Sequence, residues 1–193
     1  MNKLKIILAI ILVTIGVIGR FILVSYVGIP NLEIITALAL IAGIYLGGVY
    51  AIIVPLSIIF FSDLIIGNNY IFIFTWTAFA FIGLAGLVCR KYRFQNSIPS
   101  TRDKIQNSFY LAIGSSVFFY LYTNFGWFLM SGMYEYSLSG LLRCYWMAIP
   151  FFRNNLIGNL IFVPVGIYVA SKVFCGAKEK YFYFSTIKNE KRM

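Results

Sequence analysis

Residues 34–67 read IITALALIAGIYLGGVYAIIVPLSIIFFSDLIIG, and they decide how many helices the chain forms. No charge interrupts this stretch between Glu33 and Asp63. A membrane-crossing helix needs about 20 apolar residues, so the stretch could be one long helix or two spans joined at Gly47-Gly48. We predict two spans, at about 32–47 and 49–67, because the charge distribution favours them.

Composition places the whole chain in a membrane. Of its 193 residues, 61% are hydrophobic and 11% are charged, and the mean hydropathy is +0.85. A soluble domain carries about 25% charged residues. Further uncharged runs predict spans at about 4–27, 69–89, 107–130 and 154–173. We therefore predict an all-α membrane protein: one integral domain over residues 1–193, with six transmembrane helices and a basic tail at 174–193.

The basic residues orient these spans. With six spans and the N-terminus inside, thirteen of the sixteen Lys and Arg residues lie in the cytoplasm, as the positive-inside rule requires. They fall at 3–5, in a loop at 90–106, and from Lys172 onward. A single span over 34–62 would put the N-terminal lysines on the side opposite the loop and the tail. We predict cytoplasmic N- and C-termini, with Arg20, Arg143 and Arg153 in the outer half.

Several function classes lack their signatures. The net charge of +10 is divided into clusters between apolar runs, so we expect no nucleic-acid partner. There is no histidine, and the three cysteines form no CxxC pair. Phosphate-loop, HExxH and GxSxG motifs are absent. We expect no enzyme, no cofactor and no metal site. A membrane-embedded transferase using Asp63 and Arg20 is a minor alternative.

Polar residues within the spans concentrate in the outer third. Because such groups need partners or a use in lipid, we predict a site open to the outside that binds a small molecule. The predicted substrate-binding residues are Arg20, Asn31, Asp63, Asn124, Trp127, Arg153, Asn154 and Asn159. Two other interpretations remain open: Arg20 and Asp63 could form a structural ion pair, and Asn154 could cap a helix beginning near Arg153, whose free N–H groups would suit an anion.

The segment 131–153, SGMYEYSLSGLLRCYWMAIPFFR, is predicted to be the longest outer connection. Its tyrosines, Trp146 and paired phenylalanines could form an interfacial aromatic belt, or a lid whose rings stack on a flat ligand. Short glycine spacings at Gly43/Gly47, Gly16/Gly19 and Gly83/Gly86 predict close helix packing.

A run of motifs resembles a known group of proteins. The matching stretches are Pro30-Asn31, ALALIAGIYLGG at 37–48, VPL at 54–56, SDL at 62–64 with Gly67, TNFGWF at 123–128, and AIPFFRNNLIGNL at 148–160. This order is similar to that of an uncharacterised bacterial membrane family described as S components of energy-coupling factor (ECF) transporters. The resemblance covers about residues 20–165.

The resemblance implies a small six-helix protein of the bacterial inner membrane that captures a vitamin or a metal from outside. It also implies partners: a transmembrane T component and two ATP-binding-cassette ATPases, which supply the energy. Characterised S components contact the T component through an AxxxA pattern on the first helix. This chain departs from that pattern, since Ala9 is followed four residues later by Val13.

Overall fold

The structure is a computed structural model that describes the backbone of residues 3–68, 70–95 and 101–190, and the side chains of residues 3–68, 70–90, 103 and 105–174. Every regular element within those ranges is helical. The helices are α1 (Lys3–Ile22), α2 (Ile35–Ile41), α3 (Tyr50–Ile66), α4 (Phe72–Gln95), α5 (Thr101–Met130) and α6 (Leu138–Glu190). Two π-helical turns, Leu23–Val27 and Ala42–Leu46, extend α1 and α2.

The stretch 34–67 forms two helices, as predicted. The π-helical turn after α2 ends at Gly47, whose φ of 66° lies in the left-handed region that favours glycine. Gly48 adopts a similar φ of 58°, and α3 begins two residues later. The glycine pair therefore divides the apolar run because it lets the backbone turn sharply where other residues would be strained.

Helix α2 lies at the centre of the bundle. All seven of its residues are buried, as expected for a helix that is apolar on every side. Around it, the longer helices expose large aliphatic and aromatic side chains on their outer faces, such as Ile10 and Ile18 of α1 and Leu64 of α3. Within the described part of the chain, three segments have the length and composition of membrane-crossing helices: Lys3–Val27, Phe72–Arg90 and Leu138–Phe174. The helices Ile35–Leu46 and Tyr50–Ile66 are apolar but shorter.

Successive helices alternate in direction. Near the start of α1, the Lys5 ammonium donates a hydrogen bond to the Leu46 carbonyl at the end of α2's extension (2.9 Å). Near its end, Arg20 contacts Asp63 close to the end of α3, and Gly19 lies against Ile34 just before α2. We call the end of the bundle that holds Arg20, Glu33, Asp63 and Asn155 the polar end. The opposite end holds Lys5, Leu46, Arg90 and Phe174.

Glycines bring three helix backbones into direct contact. A Cβ added to Gly83 of α4 would overlap the Ala51 carbonyl oxygen of α3. A Cβ on Gly43 would overlap the Gly83 carbonyl oxygen, and one on Gly86 would lie 2.8 Å from the Leu40 carbonyl oxygen. Close packing through Gly43, Gly83 and Gly86 is therefore confirmed. Gly47 has a different role from the one its spacing predicted, since it ends a helix beneath the Arg90 guanidinium.

The prediction of a long outer connection at 131–153 is wrong. The connection spans only 131–137, and α6 begins at Leu138 and runs without interruption to Glu190. The predicted loop at 90–106 is also shorter, because α4 continues to Gln95 and α5 begins at Thr101. Residues 96–100 and 191–193 lie outside the described ranges, and so do the side chains of the basic tail beyond Phe174.

Candidate functional site

Two hydrogen-bonded networks lie side by side at the polar end, and the first joins α1, α3 and α4. The Arg20 guanidinium forms an ion pair with Asp63 and donates to the Ser62 hydroxyl (2.6 Å). The second carboxylate oxygen of Asp63 accepts a hydrogen bond from the Trp76 indole N–H (2.8 Å). The Asp63 side chain is 7% exposed and that of Arg20 19%. Both carboxylate oxygens are thus occupied by protein donors.

The second network links α2, α5 and α6 through buried side chains. One oxygen of the Glu33 carboxylate accepts the Thr36 backbone N–H (2.9 Å), and the other accepts the Asn155 amide N–H (3.3 Å). The Asn155 amide oxygen in turn accepts the Asn159 N–H (3.1 Å). Asn159 also donates to the Ser116 hydroxyl on α5 (2.9 Å). This chain of bonds fixes the start of α2 against two longer helices.

Two oxygen atoms of the second network have no hydrogen-bond partner. They are the Asn159 amide oxygen and the Thr36 hydroxyl, and both residues are 0% exposed. Burying a polar atom without a partner costs about 1–3 kcal/mol. Thr36 lies one helical turn from Glu33, and Asn159 lies one turn from Asn155. Each atom therefore belongs to a residue about one helical turn from the Glu33–Asn155 hydrogen bond, which joins the start of α2 to α6.

Above this network, the connection 28–34 closes the bundle between α1 and α2. Asn31 in this connection has a φ of 59°, which asparagine tolerates better than most residues. The Asn31 carbonyl oxygen accepts from the Asn155 side chain (3.4 Å), and the Pro30 carbonyl oxygen accepts from Asn154 (3.1 Å). Two neighbouring asparagines of α6 thus hold the connection over the buried network.

The predicted site residues are only partly brought together. Arg20 contacts Asp63, and the Asn31 backbone and Asn159 are linked through Asn155. The Asn124 side chain bonds to the Tyr120 carbonyl oxygen of its own helix (2.7 Å). Trp127 is half-buried and Arg153 exposed, and among the described residues neither has a hydrogen bond to another predicted site residue.

Two further interpretations of α6 are wrong. Because the helix begins at Leu138, Arg153 and Asn154 lie in its interior, where the backbone N–H groups bond within the helix. No helix N-terminus is present there for Asn154 to cap or for an anion to bind. The aromatic residues from 138 onward belong to the helix and form no lid. Tyr145 and Phe152 pack against Tyr120, whereas Trp146 is 72% exposed.

The sequence-based site omitted residues that the structure makes central. Glu33 and Asn155 connect α2 to α6, and Trp76 and Ser62 complete the Arg20–Asp63 network. The spacing of Asn155 and Asn159, four residues apart on one helical face, was a usable signal for the second network. No pattern in the sequence links Trp76 to Asp63, since their pairing depends on how α3 and α4 pack.

A family model matches residues 1–179, which is most of the chain. The chain belongs to the family of unknown function DUF6580. No curated protein and no solved structure matches the chain. The family assignment carries no substrate or activity with it, so any function has to be argued from the networks at the polar end.

Proposed function

We propose that this protein is the substrate-binding membrane subunit, or S component, of an ECF-type importer. In this proposal it crosses the bacterial inner membrane six times, with both termini in the cytoplasm and the polar end facing outward. It captures a small vitamin-like molecule there. A transmembrane T component and two ATP-binding-cassette ATPases act as partners and supply the energy.

The observation that carries the proposal is the uneven distribution of polar side chains along the bundle. Both networks of buried polar residues lie at one end. From there toward the opposite end, the interior is mainly apolar, with side chains such as Leu40, Val163 and Ile167, and glycines bring the backbones together. The buried serines toward that end, Ser108 and Ser171, donate to carbonyl oxygens of their own helices. A channel or pump needs polar groups through the full thickness of the membrane. A polar end above a sealed apolar interior suits capture from one side.

The accessible polar residues around the connection 28–34 are the proposed substrate contacts. They are Asn31 within the connection and Asn154, which bonds to it. The proposal adds Arg153, the neighbour of Asn154 on α6, and Trp127 of α5 as the stacking residue. Arg153 is exposed and its side chain has no hydrogen bond to another described residue, so its guanidinium has donors to offer a ligand. Arg20, Asp63, Asn124 and Asn159 already bond to protein groups and support the site from beneath or beside it.

The test is the small molecule that purifies with the protein. Denatured wild-type protein should release one compound, detected by mass spectrometry and absent from mock-purified membranes. Arg153→Ala should reduce its amount at least about tenfold, the loss expected for one charged hydrogen bond. Arg143→Ala, which removes another exposed arginine of α6, should retain it. The proposal fails if wild-type protein carries no compound or if the two variants lose it equally.

One observation favours a second candidate, a membrane scaffold or assembly protein without a transport role. The Arg20–Asp63 pair is saturated by Ser62 and Trp76, as expected for a pair that only holds helices together. In that case the purified protein would carry no compound. Arg20→Ala would then lower stability and abolish binding to a partner protein, without affecting uptake of any small molecule.

A further inference from the structure

The directions of the hydrogen bonds in the second network are fixed by the Glu33 carboxylate. An ionised carboxylate only accepts hydrogen bonds, so the Asn155 amide must present its N–H₂ group to it. The Asn155 oxygen then faces Asn159, which must present its own N–H₂ group. Both Asn159 protons are used, toward Asn155 and Ser116. The Asn159 oxygen is left as an acceptor with no donor.

The carboxyl group of Glu33 in the same region has no positively charged side chain as a partner among the described residues. Glu33 is 9% exposed and forms no ion pair with any Lys or Arg of the described residues. Its donors, the Thr36 backbone and Asn155, are neutral, and the start of α2 contributes only a partial positive charge. Buried charges in proteins are normally paired or bound to a metal ion. On two packed helices, one oxygen without a partner thus lies about one helical turn from the Glu33 carboxyl and another about one turn from Asn155, which bonds to it.

We propose that Glu33, Thr36 and Asn159 bind a monovalent alkali cation between α2 and α6. A carboxylate, a hydroxyl and an amide oxygen are the hard oxygen ligands that such an ion takes, and backbone carbonyls or water complete its shell. The ion neutralises Glu33 and gives the two orphan oxygens a partner. By joining the start of α2 to α6, it stabilises the packing of the two helices beneath the connection 28–34.

The charge of the site selects a monovalent ion. One carboxylate neutralises one positive charge, whereas a divalent ion would leave an excess charge buried among apolar helices. Divalent sites also draw on several carboxylates. Among residues with described side chains, no group of three or more His, Cys, Asp or Glu is present. An anion is excluded because the unpartnered atoms here are oxygens beside a carboxylate.

Thermal unfolding of the purified protein in lipid nanodiscs tests the proposal without knowledge of any transported molecule. Tryptophan fluorescence is followed in NaCl, in KCl and in N-methylglucamine chloride at one ionic strength. N-methylglucamine is a bulky organic cation that keeps the ionic strength constant without supplying an alkali ion. Wild-type protein should show a saturable rise in Tm with sodium or potassium. At about ten times the Kd, the rise should be about 3–6 °C over the value in N-methylglucamine.

Thr36→Val tests the proposed hydroxyl ligand, because it removes a buried side-chain oxygen next to the Glu33 carboxyl and leaves the backbone N–H of residue 36 in place. In N-methylglucamine its Tm should equal or exceed that of the wild type, while its half-saturating cation concentration should rise at least about tenfold. Glu33→Gln should abolish the cation effect. Asn154→Ala, which breaks a bond to the connection above the site, should keep it.

The number of sodium ions bound per chain gives a second readout. Equilibrium dialysis with radioactive sodium should find about one ion per wild-type chain at saturation and none on Glu33→Gln. An identical Tm in the three salts overturns the proposal and means that water or a proton completes the network. So does a Thr36→Val protein that keeps the full sodium shift, or one that is destabilised equally in every salt. Presence or absence of a co-purified compound has no bearing on these outcomes.

Discussion

At the residue scale, the Arg20–Asp63 pair differs from a surface ion pair in how completely its acceptors are used. Asp63 bonds to Arg20 through one oxygen and to Trp76 through the other. Ser62, which accepts from Arg20, also donates to carbonyl oxygens of its own helix. Removing one member therefore leaves several groups without partners, which costs more than the net value of the pair itself.

Single substitutions of this pair should be strongly destabilising and non-additive. Asp63→Ala should lower the free energy of unfolding by about 3 kcal/mol, the lower end for a buried pair because Arg20 keeps 19% exposure. The double variant Arg20→Met/Asp63→Ala should lose less than the sum of the single losses. Unfolding in mixed micelles titrated with denaturing detergent measures the losses in Asp63→Ala, in Arg20→Met and in the double variant. Additive losses would mean that the two side chains are not coupled.

Asn154 and Asn155 offer a matched pair of neighbouring asparagines. Asn155→Ala removes the link between Glu33 and Asn159, both buried, and should cost about 2 kcal/mol because buried groups lose their partners. Asn154→Ala removes one bond from a partly exposed residue and should cost less than about 1 kcal/mol. The same unfolding titration compares them. Equal losses would show that the buried bonds of Asn155 add no more to stability than the single bond of Asn154.

At the element scale, the sequence predicted which helices exist better than where α6 begins. Gly28, Gly47 and Gly67 end helices with positive φ values, so their positions could be read directly. Arg143 and Arg153 interrupted the apolar run and made 131–153 look like a connection. A charge limits how far a span extends in lipid, but an exposed arginine is compatible with a helix. The prediction was wrong because it took charged residues, which limit how much of a helix lies in lipid, as marks of where the helix itself begins.

Glycine-mediated contact among α2, α3 and α4 predicts position-specific intolerance to alanine. Gly83→Ala would drive a methyl group into the Ala51 carbonyl oxygen, which Pro55 has already deprived of its helical N–H partner. Overpacking of this kind costs about 1–3 kcal/mol or more, since backbone rather than a flexible side chain is in the way.

Gly114→Ala is the control for this prediction. Nothing lies within 4 Å of a Cβ at Gly114, so alanine there should leave stability unchanged or slightly improved. Tm values of the two variants in the same nanodiscs give the comparison. If Gly83→Ala were as stable as Gly114→Ala, α3 and α4 would have to be further apart than the structure has them.

At the scale of the whole molecule, the number of membrane spans depends on whether a helix as short as α2 can count as one. Helix α2 has seven residues and a five-residue π-helical turn, about 18 Å at 1.5 Å per residue, against about 30 Å of hydrocarbon. On length alone it does not span the membrane. Because protein surrounds α2 on every side, it need not match the thickness of the lipid. The alternating directions of the helices then bring the start of α1 and residue Phe174 of α6 to the same end.

This arrangement makes a prediction that separates six spans from three. If only the three long apolar segments crossed the membrane, an N-terminus in the cytoplasm would leave the tail outside. With six spans the tail is inside and the connection 131–137 is outside. After Met193, a fused green fluorescent protein should therefore fluoresce and a fused alkaline phosphatase should be inactive. After Tyr134, a fused alkaline phosphatase should be active and a fused green fluorescent protein should not fluoresce. An active phosphatase on the tail would reverse the orientation of the polar end. The proposed capture from outside would fail with it, whereas the cation site between α2 and α6, which depends only on contacts within the bundle, would stand.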